Sequence, residues 1–108
     1  MSAVRTVLAK EMTEKALQAN VMDALKKLGF LAYHTWRSDH SAKGFPDIIA
    51  VRGKRCLAIE LKRQGGDPTE AQEEWLTALA FADLEVYIWR PSDWLDGTIE
   101  RVLMRELR

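Results

Sequence analysis

The stretch from Gly44 to Lys62 constrains this chain more than any other. Two short apolar runs, Ile48–Val51 and Cys56–Leu61, flank a Gly53-Lys54 break. Runs of that length and β-branched content, split by a glycine dipeptide, have the pattern of a β-hairpin with a two-residue turn and Gly in its first position. With Arg52 facing Arg55 across the turn, Asp47 falls opposite Glu60. Side chains alternate along a strand, so Asp47, Glu60 and Lys62 share a face with Ile49, Val51, Cys56 and Ala58. The other face, Ile48, Ala50, Leu57, Ile59 and Leu61, is wholly apolar.

Two carboxylates directly opposed in a sheet stand about 4.5–5.5 Å apart at Cβ, where like charges destabilise the pair. A fold tolerates the contact when a cation sits between the acids or when one of them stays protonated. Lys62, two residues on, offsets only part of the repulsion. The alternative is a different register, with both acids solvated at strand ends.

At 108 residues the chain is expected to form one small domain with a single core. No apolar run approaches the roughly 20 residues of a membrane span, and the first residues lack the apolar segment of a signal peptide. One cysteine, Cys56, excludes a disulfide framework and a cysteine-built zinc site; inside a strand run it reads as a small core residue. A protein of a reducing, cytoplasmic compartment is the simplest expectation. Sixteen basic and sixteen acidic residues balance, so composition alone does not announce a nucleic-acid binder. Distribution says more. Arg37, Lys43, Arg52, Lys54, Arg55, Lys62 and Arg63 crowd the middle, and a local basic surface is enough to engage phosphates.

Residues 1–12 carry little pattern and read as a frayed start or a short helical lead-in. A first helix begins at Thr13, a good N-cap, and runs to Leu28 before Gly29 stops it. Leu17, Val21, Ala24, Leu25 and Leu28 form its apolar stripe, and Glu14 stands in the first turn, where a carboxylate favours the helix dipole. Phe30–Arg37 reads as a strand, and Ser38–Phe45 as a polar loop that Pro46 delivers into the hairpin. After Lys62, Arg63-Gln64-Gly65-Gly66-Asp67-Pro68 is a loop. Thr69-Glu70-Ala71-Gln72 is a capping box opening a second helix to about Ala82, with Ala71, Trp75, Leu76, Leu79 and Ala82 inward. Glu85–Arg90 is a fourth strand. Pro91-Ser92-Asp93 has the pattern of a helical start, and Ile99, Val102, Leu103 and Leu107 recur at helical spacing; together they predict a short C-terminal helix. A helix between the last two strands suits a crossover that leaves them parallel. The expected architecture is an α/β domain, α-β-β-β-α-β and then α, around a central mixed sheet.

An acid on the first helix, then Pro46-Asp47, then Glu60-Leu61-Lys62, on elements in this order, resembles the PD-(D/E)XK nuclease superfamily. Thr13-Glu14, Gly44-Phe45-Pro46-Asp47, Glu60-Leu61-Lys62 and Thr69-Glu70-Ala71-Gln72 together are more closely similar to the VRR-NUC family, the virus-type replication and repair nuclease domain found in some phages as a small stand-alone protein. A lone Glu-x-Lys is nearly worthless as a motif; four elements in order are strong.

The resemblance implies a restriction-endonuclease-like core and a Mg²⁺- or Mn²⁺-dependent endonuclease acting on DNA. Asp47 and Glu60 would supply oxygens to the ion, and the resemblance adds the main-chain carbonyl of Leu61. Lys62 would orient or deprotonate the attacking water and contact the phosphate. Glu14 would be an accessory acid, through a water or at a second ion. Gln72 keeps two readings that can hold together, the capping box and a contact to Lys62 or the phosphate. Ser38, Ser41, Lys43, Gly44 and Arg63 are the candidate DNA contacts. The resemblance also implies a homodimer whose two sites act on opposite strands of branched DNA such as a four-way junction, in the host cytoplasm for a phage-encoded member. The Val86–Trp94 segment is the expected dimer surface. Flap or single-stranded DNA is the alternative substrate, and a non-catalytic binding subunit is the alternative role. A degenerate member would be expected to lose an acid or the lysine, and none is missing. His34 and His40 form no rival metal motif: a ββα-metal nuclease would want a downstream Asn and a further His, and Asn20 lies upstream.

Overall fold

A computed structural model describes residues 2–36 and 42–105 of the chain. Arg37, Ser38, His40, Ser41 and Leu107 lie outside the described residues. The lead-in is a helix, α1 (Ala3–Glu11), capped by the Ser2 hydroxyl. It buries Ala9 and packs on a helix near the far end of the chain. The next helix, α2 (Glu14–Lys27), starts where expected: Thr13 Oγ1 accepts from the Ala16 N–H at 3.0 Å. It ends at Leu28 and Gly29, whose φ of +85° is open to glycine at little cost.

Strand β1 (Leu31–His34) is shorter than Phe30–Arg37; Phe30 instead turns into the core. The hairpin forms as β2 (Ile48–Arg52) and β3 (Arg55–Leu61), with Arg52 paired to Arg55 and Ile48 to Ile59. Gly53 takes φ +57° and Lys54 stays at negative φ, which is the pattern of a turn demanding glycine in its first position. Helix α3 (Glu70–Phe81) carries the full capping box and crosses over to β4 (Glu85–Trp89), which lies parallel to β3. The sheet order is β1-β2-β3-β4, mixed as expected. Among the described residues, the helical start at Pro91 and the apolar spacing from Ile99 belong to two separate helices, α4 (Pro91–Leu95) and α5 (Thr98–Met104), rather than one. Asp96 and Gly97 separate them, Gly97 at φ +83°.

One face of the sheet holds the core. Ile48, Ala50, Leu57, Ile59 and Leu61 pack there with Leu17, Val21 and Leu25 of α2 and with Ile99, Val102 and Leu103 of α5. A fully buried leucine or isoleucine contributes about 1.5–3 kcal/mol of transfer free energy, so this layer carries most of the stability. The second face is only partly covered. Helix α3 packs against β4 and buries Leu76 alone; Trp75 and Leu79 are half-buried, and Ala82 is exposed. Its stripe was expected to face inward as a whole. It lies against β4 at one side of that face, leaving Leu31, Tyr33 and Val51 exposed on the other.

Candidate active site

The hairpin register carries Asp47 and Glu60 to the same level, one step past the last main-chain pair at Ile48 and Ile59. Strand pairing stops there, and a side chain replaces it: Asp47 Oδ2 accepts from the Leu61 N–H at 2.7 Å. Two further bonds pin the same residue to the end of β1. The Thr35 N–H donates to the Asp47 carbonyl at 2.8 Å, and Thr35 Oγ1 donates to the Pro46 carbonyl at 2.9 Å. Glu60 is 1 % exposed, and its Oε1 has no hydrogen-bond partner. Its Oε2 stands 3.7 Å from Lys62 Nζ, whose side chain is itself largely buried. Glu14, in the first turn of α2, reaches the strand end as well: its Oε2 accepts from the Arg63 N–H at 3.2 Å. Three acids and one lysine, drawn from α2, the loop before β2 and the end of β3, thus converge.

The electrostatics match that crowding. Burial, then the neighbouring Asp47, pushes the Glu60 carboxyl from an ordinary 4.5 up to about 8, with Lys62 pulling the other way. Asp47 is also raised, chiefly by burial and further by Glu14, while the Leu61 N–H, Glu60 and Lys62 oppose the rise. The pair therefore keeps a proton at neutral pH rather than holding two bare charges side by side. Among the described residues no three His, Cys, Asp or Glu side chains group as a metal cage. What is present is a carboxylate pair with one buried oxygen unpartnered, a donor set for a hard cation that takes its remaining ligands from main-chain carbonyls, water or substrate.

Neither a family model nor a curated relative matches the sequence. Solved structures do. A Holliday junction resolvase, Hjc, from the archaeal hyperthermophile Archaeoglobus fulgidus superimposes with a TM-score of 0.54 at 30 % identity, over 67 % of this chain. The match spans 62 % of the resolvase. A VRR_NUC domain protein superimposes with a TM-score of 0.66 at 25 % identity, over 85 % of this chain and 88 % of that one. The likeness is thus to a VRR_NUC domain protein over most of both chains. It shares the nuclease fold of the resolvase.

Other expected site residues are placed less centrally. Gln72 Oε1 accepts from the Thr69 N–H at 2.8 Å, which is the capping-box role; no hydrogen bond joins it to Lys62. Gly44 lies directly on the Ala71–Gln72 peptide. Lys43 and Arg63 are exposed near the acids in sequence. Two arginines of the basic crowd are committed elsewhere. Arg52 donates to the Leu28 carbonyl and lies over the Phe30 ring, and Arg55 binds Glu85 and the carbonyls of Val102, Leu103 and Arg105. Arginine next to a helix end is drawn to the unpaired carbonyls there, which removes both from the phosphate-binding surface. Thr35 was not singled out from the sequence, although a β-branched residue with a hydroxyl at a strand end is what such a clamp needs. Trp75 was read only as core. A cleft on the outer side of α3 is lined by Glu70, Glu73 and Glu74 and is electrostatically unsuited to a phosphate.

Proposed function

We propose that this domain is a metal-dependent endodeoxyribonuclease that hydrolyses phosphodiester bonds in branched DNA, four-way junctions foremost, as a homodimer. One observation carries the reading: a fully buried carboxylate, Glu60, with an unpartnered oxygen, set beside a second buried-side acid and a lysine. An apolar packing site would not be built this way, because an unpaired buried acid costs free energy that only a ligand or a proton relieves. Asp47, Glu60 and the Leu61 carbonyl would hold Mg²⁺ or Mn²⁺, which polarises a phosphate and lowers the pKa of a bound water. Lys62 orients the attacking water and meets the phosphate. Glu14 acts through a second water or ion, and its contact to the Arg63 N–H keeps it at the rim. Lys43, Gly44 and Arg63 face the DNA, Ser38 and Ser41 are the further DNA contacts of this reading, and Gln72 supports Lys62 or the phosphate from the α3 side.

The likeness to a Holliday junction resolvase supports a branched-DNA substrate. Among the described residues no helix is long and apolar enough to cross a membrane. The test compares cleavage of four-way junction, flap, single-stranded and duplex DNA in Mg²⁺, Mn²⁺ and EDTA, with protein of measured oligomeric state. Junction cleavage that needs the metal is expected. Glu60→Gln and Lys62→Ala should each lower kcat by roughly 10²–10⁴-fold without unfolding the protein. Wild-type rates in either variant would overturn the assignment, and no incision of any DNA form in Mn²⁺ would leave a binding module.

A further inference from the structure

We infer that helix α3 sets the position of Asp47 through a latch formed by Gly44, Phe45 and Trp75, which makes Trp75 a positioning residue for the nuclease site proposed above. The segment entering β2 is not a free loop at this point. The Phe45 N–H donates to the Ala42 carbonyl at 3.1 Å, closing a turn in which Gly44 takes φ +84°. A Cβ at Gly44 would stand 2.5 Å from both the carbonyl carbon and oxygen of Ala71 and 2.8 Å from the Gln72 nitrogen. Glycine is therefore required twice, once for the turn and once because the loop rests on the first turn of α3. One residue on, the Phe45 ring meets the Trp75 indole edge to face, with centroids 5.0 Å apart at 80°. Pro46 then runs fully buried into Asp47, so there is no slack between the aromatic contact and the acid.

The remaining holds on Asp47 all come from the sheet. Thr35 takes the main-chain carbonyls of Pro46 and Asp47, and the Leu61 N–H takes the carboxylate. These fix the residue against β1 and β3 but leave its approach from the N-terminal side to the latch. The same turn of α3 bears Gln72, so the latch also sets the helix start against the acid. A small misplacement of a reacting group is costly in rate even when the fold is kept.

The experiment reads the latch without metal or DNA first. In metal-free protein, amide hydrogen exchange is followed at Leu61, which donates to Asp47 Oδ2, and at Ile59 in the same strand. In Trp75→Ala the Leu61 amide should exchange about tenfold faster while Ile59 changes by less than about twofold, and Trp75→Phe should restore Leu61. In the cleavage assay Trp75→Ala should lose on the order of 10- to 100-fold in kcat with KM for DNA nearly unchanged. If Trp75→Ala does not fold, Phe45→Leu carries the same comparison, since it keeps apolar volume and removes the aromatic edge. Equal acceleration at both amides, or an unmoved Leu61, would overturn the latch. A wild-type protein that cuts nothing would count against the nuclease reading instead, and the exchange result would still decide the latch.

Discussion

At the scale of single residues, Glu60 is the group whose behaviour most directly reports the site. Its folded value near 8 lies above the 4.5 of an ordinary glutamate, so over that range the folded state binds the extra proton. Stability of the metal-free protein should therefore fall as pH rises from about 4.5 to about 8, because the unfolded chain ionises first and the native one resists. Urea titrations in EDTA across that window should show the decline, and Glu60→Gln should flatten it and be the more stable protein at pH 8. A wild-type curve as flat as that of the variant would mean the acid is solvated. The opposed pair itself was legible in the sequence, because turn chemistry and period-two alternation determine register without reference to the rest of the chain. What was not legible is how Asp47 is held. Its bond to the Leu61 N–H exists only because pairing stops one step earlier, and Thr35 lies just past β1, a strand whose register nothing local encodes.

Among elements, the ends of α2 and α5 show where sequence reading misassigned charge. Arg52 and Arg55 flank a turn in a basic stretch and were read with the phosphate-binding surface. The fold brings helix C-termini beside them, and carbonyls compete successfully for guanidinium groups. Arg55 is a staple: it joins β3 to β4 through paired bonds to Glu85 at 2.7 and 2.8 Å and anchors the last turn of α5. The Arg55 hydrogen bond holds the Glu85 carboxyl below the usual glutamate range. Its contribution is thus present above the unfolded value and is lost as pH falls through the folded one. Arg55→Ala should cost about 2 kcal/mol at pH 7 by chemical denaturation and leave α5 frayed, whereas Lys54→Ala in the adjacent turn should change little. An Arg55→Ala protein as stable as wild type would show the staple to be redundant. Helices with strong caps, α2 and α3, were legible to within a residue or two. At the C-terminus the start at Pro91 and the stripe from Ile99 were legible, but not the break between them at Asp96 and Gly97, which divides them into two helices.

For the whole molecule, the unequal covering of the sheet bears on the homodimer proposed above, in which one site per chain would serve a substrate with two strands to cut. In the expected Val86–Trp94 dimer surface Trp89 is 3 % exposed and Trp94 packs against the core, while Ile88, 36 % exposed, lies on the face that bears Glu60. The uncovered half of the sheet offers more. Leu31 is 80 % exposed, Tyr33 58 % and Val51 40 %, all on the face that also bears Glu60. Register places them in one patch, with Leu31 beside Val51 and Tyr33 beside Ile49. Soluble monomers seldom leave aromatic and aliphatic side chains clustered this way, and a stable dimer needs about 800 Å² per partner, which this patch with its polar surround can begin to supply. In the homodimer proposed above, a two-fold contact through this patch counts every substitution twice, since the same residue faces its own copy's neighbours on both sides. Leu31→Glu with Tyr33→Glu should therefore give a folded monomer by sedimentation, its thermal stability near that of the wild type because neither side chain lies in the core. On a four-way junction the monomer should nick single strands without coupling the second incision to the first. A variant that stays dimeric would move the interface elsewhere, and a wild-type protein that is already monomeric at assay concentration would remove the dimer from the mechanism, leaving each site to act on one strand alone.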